Sequence, residues 1–260
     1  MFIAPDIDPI ALSIGPLAIR WYGLMYLVGF VGGALLGVSR AKQPNSGWTP
    51  DEVWDMLFYI AIGVILGGRL GYVLFYSFDY FLTNPIAIFA VWSGGMSFHG
   101  GAIGVVVAAW FFARKTGRTL LDVGDFAVPL MPLGLMVGRI GNFINQELWG
   151  RVTEVPWGVV FRHAGDLPRH PSQLYEAFFE GLVLFIVVWI YSRNKRIAGR
   201  VTGLVFAGYG IARFCIEFVR EPDAHLGAVA LQWMTMGQLL SLPMIILGLY
   251  LLMRPAPDKN

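Results

Sequence analysis

A run of polar residues that begins inside an apolar segment is the first feature of this sequence that could do chemistry. The stretch 138–151 (GRIGNFINQELWGR) follows the apolar stretch 126–137 and contains Arg139, two asparagines, a glutamine and a glutamate. Ionisable residues inside a membrane helix are energetically costly and usually face a partner or a water-filled cavity. The stretch therefore predicts a functional site.

Arg139 is the residue in this stretch best suited to hold a ligand. Asn142 and Gln146 follow it at spacings that put all three side chains on one helix face, if the helix continues that far. Gly138 and Gly141 leave room beside the arginine. A guanidinium binds a phosphate through two parallel hydrogen bonds, so the pattern favours an anionic, phosphate-bearing ligand.

A second polar stripe lies in a later apolar segment. Arg213 and Glu217 are four residues apart, and Tyr209 lies one turn earlier on the same stripe. A purely structural ion pair within one helix is an equally acceptable interpretation of this spacing. Two arginines at the same membrane depth would nevertheless suit a phosphate better than one.

Other polar residues in apolar segments have both a functional and a structural interpretation. His99 lies between two pairs of glycines, where it could be a catalytic base or simply cap a helix. Tyr22 and Tyr26 could contact a ligand or belong to the belt of aromatic residues at a membrane interface. Arg69 could extend to the membrane surface or pair structurally, and Cys215 is expected to be a small buried apolar residue.

Composition indicates the elements that must position these residues. The chain has 260 residues, of which 56% are hydrophobic and 14% charged, and its mean hydropathy is +0.61. About 20 helical residues cross the hydrocarbon core, so the apolar runs predict an all-α, polytopic membrane protein. Seven transmembrane helices are predicted: Trp21–Val38, Val53–Tyr76, His99–Ala113, Ala127–Ile144, Leu174–Tyr191, Gly203–Phe218 and Gln238–Met253. The segment Ile86–Trp92 is too short to span and is predicted to be interfacial or re-entrant.

The distribution of cations predicts the orientation of this bundle. Lysines and most loop arginines fall in alternate connections, at 40–42, 114–118 and 193–200, and in the C-terminal tail. Positively charged loops stay in the cytoplasm, which predicts an outer N-terminus and a cytoplasmic C-terminus. On this topology every polar residue named above except Arg69 falls toward the outer half of the membrane. Residues 1–260 are predicted to form a single membrane domain with a small outer cap at about 146–172.

Glycines at every fourth residue predict where helices approach one another closely. The repeats are Gly29, Gly33 and Gly37, then Gly63, Gly67 and Gly71, and finally Gly134 with Gly138. Tight packing without a chemical role is the expected function of these residues.

Several of these stretches together resemble a known family. They are WYGLMY at 21–26, GGRLGY at 67–72, GGMSFHGG at 94–101, the stretch 138–151, RHPSQLYE at 169–176, and GYG at 208–210 with Arg213 and Glu217. In this order and over nearly the whole chain they resemble prolipoprotein diacylglyceryl transferases of the bacterial inner membrane. The resemblance implies transfer of the diacylglyceryl group of phosphatidylglycerol to the lipobox cysteine of a prolipoprotein. A thioether forms, glycerol 1-phosphate leaves, and lipoprotein maturation begins.

The resemblance, combined with the chemistry of this reaction, implies roles for individual residues. Arg139 and Arg213 are expected to stabilise the phosphate and the leaving group, and His99 is expected to accept the thiol proton. The expected substrate-binding residues are Tyr22, Tyr26, Asn142, Glu147, Gly150, Tyr209 and Glu217, of which Glu217 orients Arg213. The segment between the fourth and fifth spans is shorter than in the longer family members, so a substrate-docking role for it is not carried over.

The residues also bear on partners and on competing functions. No His/Cys/Asp cluster with metal-ligand spacing occurs, so neither a metal nor an organic cofactor is expected. The net charge of +2 follows from the loop bias and gives no reason to expect nucleic acid. A transporter or channel would need polar residues through the whole membrane depth, and a lipid-binding scaffold would not need a histidine near two arginines.

Overall fold

The chain is mainly helical, as its apolar runs predict. The computed structural model describes residues 2–15, 17–222, 228–230 and 233–255. The α-helices are α1 (Trp21–Ala41), α2 (Pro50–Phe75), α3 (Phe78–Thr83), α4 (Phe98–Thr116), α5 (Leu120–Ala127), α6 (Met131–Ile144), α7 (Ser172–Glu176), α8 (Leu184–Tyr191), α9 (Arg200–Ile216) and α10 (Met236–Met253). A π-helical segment, Ala177–Val183, joins α7 to α8, and 3-10 turns lie at Pro85–Phe89, Val91–Ser93, Val128–Leu130 and Arg162–Ala164.

Short strands accompany the helices, which the all-α prediction did not include. They are β1 (Phe2–Ile3), β2 (Ile10–Ile14), β3 (Leu17–Arg20), β4 (Val159–Val160), β5 (Ala228–Ala230) and β6 (Met234–Thr235). β1 pairs with β4 in parallel, whereas β2–β3 and β5–β6 are antiparallel pairs. Each pair has two strands only, because these residues lie in connections rather than in a separate sheet domain.

Five helical stretches in the described residues are long and apolar enough to cross a membrane. They are Trp21–Ala41, Pro50–Phe75, Leu120–Ile144, Ser172–Tyr191 and Met236–Met253. The other two predicted spans are helical but are not among these stretches: α9 has only 17 residues, and the last turn of α4 carries Arg114 and Lys115. The chain is thus a multi-pass membrane protein by these criteria.

The chain divides into two compact units, residues 37–126 and residues 1–36 with 127–260. In the first of these, glycines bring α2 and α4 into backbone contact. A Cβ atom added to Gly63 would lie 2.5 Å from the Gly104 carbonyl oxygen, and one added to Gly71 would lie 2.8 Å from the Gly100 Cα. The predicted close packing of this glycine repeat is confirmed.

Arg69 organises the connection between α2 and α4. Its side chain is 4% exposed, and its guanidinium donates hydrogen bonds to five backbone carbonyls. The acceptors are Ala87 at 2.6 Å, Ile88 at 2.8 Å, Ala90 at 3.1 Å, Gly94 at 2.5 Å and Gly95 at 3.1 Å. The structural interpretation of Arg69 is therefore correct: the residue holds the predicted interfacial segment, which consists of two 3-10 turns, in one conformation.

In the other unit, α1 packs against α6 through the first glycine of its repeat. A Cβ atom on Gly29 would lie 3.1 Å from the Cα of Gly134. Gly138 was predicted to share this role, but a Cβ there would meet nothing within 4 Å. A Cβ on Gly134 would likewise meet nothing within 4 Å. Close packing is thus confirmed for Gly29, whose own Cβ position approaches the Gly134 backbone, and is wrong for Gly134 and Gly138 as sites that need glycine.

The segment predicted as a cap, about 146–172, builds a small core with the N-terminal residues. Strand β1 pairs in parallel with β4, and Phe2 lies opposite Val159. Ala4, Val159 and Phe161 are buried together, and Trp149 packs against them. The N-terminal residues supply the apolar surface that this segment lacks by itself.

Candidate active site

An arginine–glutamate cluster lies where α6, α9 and the stretch from α7 into the π-helical segment meet. Its members are Arg139, Glu176, Glu180, Arg213, Glu217 and Arg220. A π-helical turn inside an α-helix often marks a functional site, and here it begins directly after Glu176. Three arginines and three glutamates give the cluster a formal charge of zero when all six are ionised.

Glu176 is the centre of this cluster. Its side chain is fully buried, and Oε2 lies 3.2 Å from Nε of Arg139. Oε1 accepts a hydrogen bond from Nη1 of Arg213 and lies 3.9 Å from Nε of Arg220. One carboxylate thus holds two arginines from different helices in a fixed relative position.

Glu217 forms the second set of contacts. Its carboxylate lies 2.9 Å from Nη2 of Arg213 and 3.6 Å from Nη1 of Arg220. The start of α10 closes over it, since a Cβ atom on Gly237 would lie 2.7 Å from its carboxyl carbon. Glu217 is only 2% exposed, so its contacts with the two arginines are shielded from solvent.

Glu180 is placed differently from the other two acids. It is fully buried, and its oxygens lie 3.9 Å from Arg139 and 4.0 Å from Arg213. Neither oxygen has a hydrogen-bond partner among the described residues. Buried polar groups are usually hydrogen-bonded, so a carboxylate in this state is unusual.

Tyr209 lies at the edge of the cluster. It packs against a buried aliphatic group that includes Leu184 and Val205, and its hydroxyl interacts electrostatically with Glu180 and Arg213. The ring thus forms part of the boundary between the apolar core and the charged residues.

A second polar group lies at the end of α6 and the start of α1. The hydroxyls of Tyr22 and Tyr26 are 3.1 Å apart, and the ring of Tyr22 packs 3.3 Å from the position of a Cβ on Gly141. Asn142 donates a hydrogen bond of 2.7 Å to Glu147. The predicted substrate-binding residues of this region therefore form two hydrogen-bonded pairs, Tyr22 with Tyr26 and Asn142 with Glu147.

The prediction that Gln146 shares a helix face with Arg139 is wrong. Helix α6 ends at Ile144, and Gln146 has a φ of 53°, a left-handed conformation that ends a helix. Its side chain donates to the Pro5 carbonyl at 3.1 Å and accepts from the Arg162 amide at 2.9 Å. Gln146 therefore fastens the cap segment to the N-terminal residues.

Gly150 lies where the cap segment meets the end of α9. Its amide donates to the His170 carbonyl at 2.9 Å, and it forms a bridge with Arg220. A Cβ atom here would lie 2.6 Å from the Val219 carbonyl oxygen and 2.7 Å from the His170 Cβ. Only glycine fits, so Gly150 sets the approach of the cap segment to the chain that carries Arg220.

His99 lies in the other compact unit, in the first turn of α4. The hydroxyl of Ser97 caps this helix by accepting from the Gly100 amide at 3.2 Å. The cap is therefore provided by Ser97, and the His99 side chain is exposed. Its proposed role as a base stays a prediction.

Cys215 was expected to be buried, and this prediction is wrong. The residue is exposed, although Ile216 and Glu217 beside it on the chain are buried. Helix α9 turns the Arg213–Glu217 face toward the cluster, so Cys215 falls on a different face.

Sequence reasoning missed Glu176, Glu180 and Arg220 as members of the site. A signal was present, since two acids four residues apart open the predicted fifth span and intramembrane acids usually mark functional sites. The chemistry predicted from the sequence is assigned to His99, Arg139 and Arg213, with no role for the acids of the fifth span, and Arg220 lies beyond the predicted end of the sixth span.

Comparisons with known proteins identify the family. The family model described as prolipoprotein diacylglyceryl transferase matches residues 9–254. A phosphatidylglycerol–prolipoprotein diacylglyceryl transferase from Solidesulfovibrio magneticus is 58% identical over 262 residues, covering 100% of this chain and 99% of the relative. Relatives of the same name are 57% identical in Legionella pneumophila, covering 96% of this chain and 98% of the relative, and 58% identical in Oleidesulfovibrio alaskensis, covering 95% and 92%. The resemblance seen in the sequence motifs is therefore confirmed, and the chain belongs to the prolipoprotein diacylglyceryl transferase family.

Proposed function

We propose that the chain transfers the diacylglyceryl group of phosphatidylglycerol to the lipobox cysteine of a prolipoprotein. The thiol sulfur forms a bond to the glycerol carbon that carries the phosphate. The bond between that carbon and the phosphate oxygen breaks, and its electron pair leaves with glycerol 1-phosphate. The proton lost by the thiol balances the charge gained by the leaving phosphate.

The observation that carries this proposal is the shared contact of Arg139 and Arg213 with Glu176. The two guanidiniums come from different helices, yet one buried carboxylate holds both. Their side chains are 19% and 12% exposed, so each keeps some accessible surface. Fixed donors stabilise developing charge most strongly in a dry, low-dielectric site, which suits a phosphate leaving group.

The remaining steps need a proton acceptor and a correctly oriented arginine. A thiol has a pKa of about 8.5 in water and attacks as the thiolate. We assign His99 as its proton acceptor. Glu217, 2.9 Å from Arg213, keeps that arginine aimed at the phosphate rather than reacting itself.

The other residues are assigned to substrate binding. Tyr22 and Tyr26 present two neighbouring hydroxyls that suit the glycerol headgroup, while the Asn142–Glu147 pair supports the end of α6. Tyr209 borders the charged cluster, and Gly150 permits the close approach of the cap segment to α9.

We also assign the chain seven spans in the bacterial inner membrane. Helices α4 and α9 join the five apolar stretches, and the cations of the loops set the N-terminus outside. The cluster then lies toward the periplasmic half, where phosphatidylglycerol and an exported lipobox are both accessible.

The test is to incubate purified protein with phosphatidylglycerol vesicles and a lipobox peptide. The expected result is release of glycerol 1-phosphate and a matching gain of a diacylglyceryl mass on the peptide. A peptide with serine in place of the cysteine should give neither product. Arg162→Ala is a control variant that should still form both products, since this exposed arginine pairs with Asp6 outside the cluster.

The same assay separates the competing functions. Lipid movement between vesicle leaflets without either product would favour a transporter. Saturable lipid binding without either product would favour a binding scaffold. Either outcome contradicts the proposed transferase activity.

A further inference from the structure

We propose that Glu180 takes up a proton when the arginine–glutamate cluster binds a phosphodiester anion. The inference rests on the proposed function and adds an acid–base role for a residue that the sequence did not single out.

The first step of the argument is the placement of Glu180. Its carboxylate is fully buried and has no hydrogen-bond partner among the described residues. Its nearest cations, Arg139 and Arg213, are 3.9 Å and 4.0 Å away. By contrast, Glu176 accepts a hydrogen bond from Arg213, and Glu217 forms a closer ion pair of 2.9 Å with the same arginine. Glu180 is therefore the least stabilised carboxylate of the cluster.

The second step is the balance of charge around it. The groups that face Glu180 are Glu176 on its own stretch, Arg139 on α6, Tyr209 and Arg213 on α9, and Arg220. With all three glutamates ionised the cluster is neutral, so binding a phosphodiester would leave a net charge of −1 in a buried site. Protonation of Glu180 makes the empty cluster +1 and the occupied cluster neutral.

The third step is energetic. A buried net charge is costly in a low-dielectric site, and a buried group commonly changes its protonation state instead. The anion would also compete with Glu180 for the same arginines, Arg139 and Arg213. Both effects favour the neutral carboxylic acid in the occupied site, so anion binding and proton uptake are coupled.

The proton also has a use in the reaction. When the bond between carbon and phosphate oxygen breaks, the phosphate charge rises from −1 to −2 unless the oxygen accepts a proton. The carboxylic acid of Glu180 can supply that proton within the cluster. Glu180 thereby returns to its ionised state, and the thiol proton accepted by His99 is released to solvent, so the cycle consumes no net proton.

Calorimetric titration with a short-chain phosphatidylglycerol, without peptide, tests the coupling. The binding enthalpy of the full-length protein is measured at one pH in two buffers of different ionisation enthalpy, and then across pH 6–9. We expect uptake of about one proton per lipid, and affinity that weakens by up to about tenfold per pH unit where uptake is complete. Absence of proton uptake at every pH would overturn the proposal.

The variant Glu180→Gln imitates the protonated acid. It should bind the lipid at least as tightly as the wild type, with no proton uptake and no pH dependence, while its turnover falls. Glu221→Gln is the matched control, because Glu221 pairs with Arg169 outside the cluster, and it should keep the wild-type uptake. Unchanged proton uptake in Glu180→Gln would overturn the proposal.

The wild-type measurement keeps the test decisive if the variant does not fold. Release of glycerol 1-phosphate without proton uptake on lipid binding would overturn the role of Glu180 and leave the proposed function intact. A wild type that neither binds the lipid nor forms product would overturn both.

Discussion

The Nε atom of Arg139 lies 3.2 Å from Oε2 of Glu176, a buried carboxylate on a different helix. Removing one partner of a buried pair leaves an uncompensated charge and costs about 3–5 kcal/mol. This contact therefore contributes both to the folded structure and to the position of the guanidinium, and experiments on the site must separate these two effects.

Replacing Arg139 by lysine tests whether the forked, bidentate geometry of the guanidinium is needed for activity. We expect Arg139→Lys to lose as much activity as Arg139→Ala, because lysine cannot reproduce two parallel hydrogen bonds. The loss should be about 10²–10³ in kcat, as for one fixed donor to developing charge. Rates are measured by glycerol 1-phosphate release, with thermal unfolding recorded alongside. Full activity in the lysine variant would contradict a forked phosphate contact.

The two acids that contact Arg213 should differ in importance. Glu176→Gln is expected to reduce turnover more than Glu217→Gln, because Glu176 holds Arg139 as well. Arg213→Ala should be about as damaging as Arg213→Ala combined with Glu217→Ala, since Glu217 acts through that arginine. Turnover of each variant with phosphatidylglycerol and lipobox peptide provides the comparison. Additive losses in this cycle would instead show that Arg213 and Glu217 act independently.

Gly150→Ala tests the contact between the cap segment and the end of α9. The new methyl group would lie 2.6 Å from the Val219 carbonyl oxygen, so we expect a loss of thermal stability and of activity. Gly134→Ala is the matched control, since its Cβ would meet nothing within 4 Å and alanine is preferred to glycine inside a helix. Equal melting temperatures for the two variants would contradict this account of Gly150.

Arg69→Lys tests the anchor of the α2–α4 connection. Lysine has three donors in place of five, so at least two of the carbonyls now bound by Arg69 lose their partner. Because each hydrogen bond to a charged group contributes about 1.5–3 kcal/mol, we expect clear destabilisation and faster proteolysis within residues 85–95. Cleavage sites are mapped by mass spectrometry. Lys115→Ala removes an exposed lysine paired with Asp55 and should leave this cleavage unchanged. If Arg69→Lys resists proteolysis within residues 85–95 as well as the wild type does, Arg69 does not hold this segment in place.

His99→Gln separates a base from a structural residue. Glutamine can form hydrogen bonds but hardly accepts a proton, so the variant should lose about 10²–10⁴ in rate at pH 7, like His99→Ala. Part of the activity should return as the pH rises toward about 8.5, where the substrate thiol ionises unaided. The measurement is the rate of peptide modification from pH 6 to 9. A near wild-type rate for His99→Gln at pH 7 would exclude the base role and leave the arginines to activate the thiol.

The sequence by itself determined the membrane class, the mainly helical structure and the family. Apolar runs long enough to span are a local property, and so are helical spacings such as that of Arg213 and Glu217. The glycine repeat in α2 likewise predicted a close helix contact, because a missing side chain on one face has a direct steric effect. These features need no knowledge of which helix packs against which.

Only the tertiary structure decided which charges meet. The contacts of Glu176 with Arg139 and Arg213 join residues far apart in the chain, and no helical period relates them. The end of α6 before Gln146 is likewise decided by contacts with Pro5 and Arg162, which override the spacing that placed Gln146 beside Arg139. Local periodicity fixes the face on which a side chain lies, whereas its partner depends on how distant helices pack.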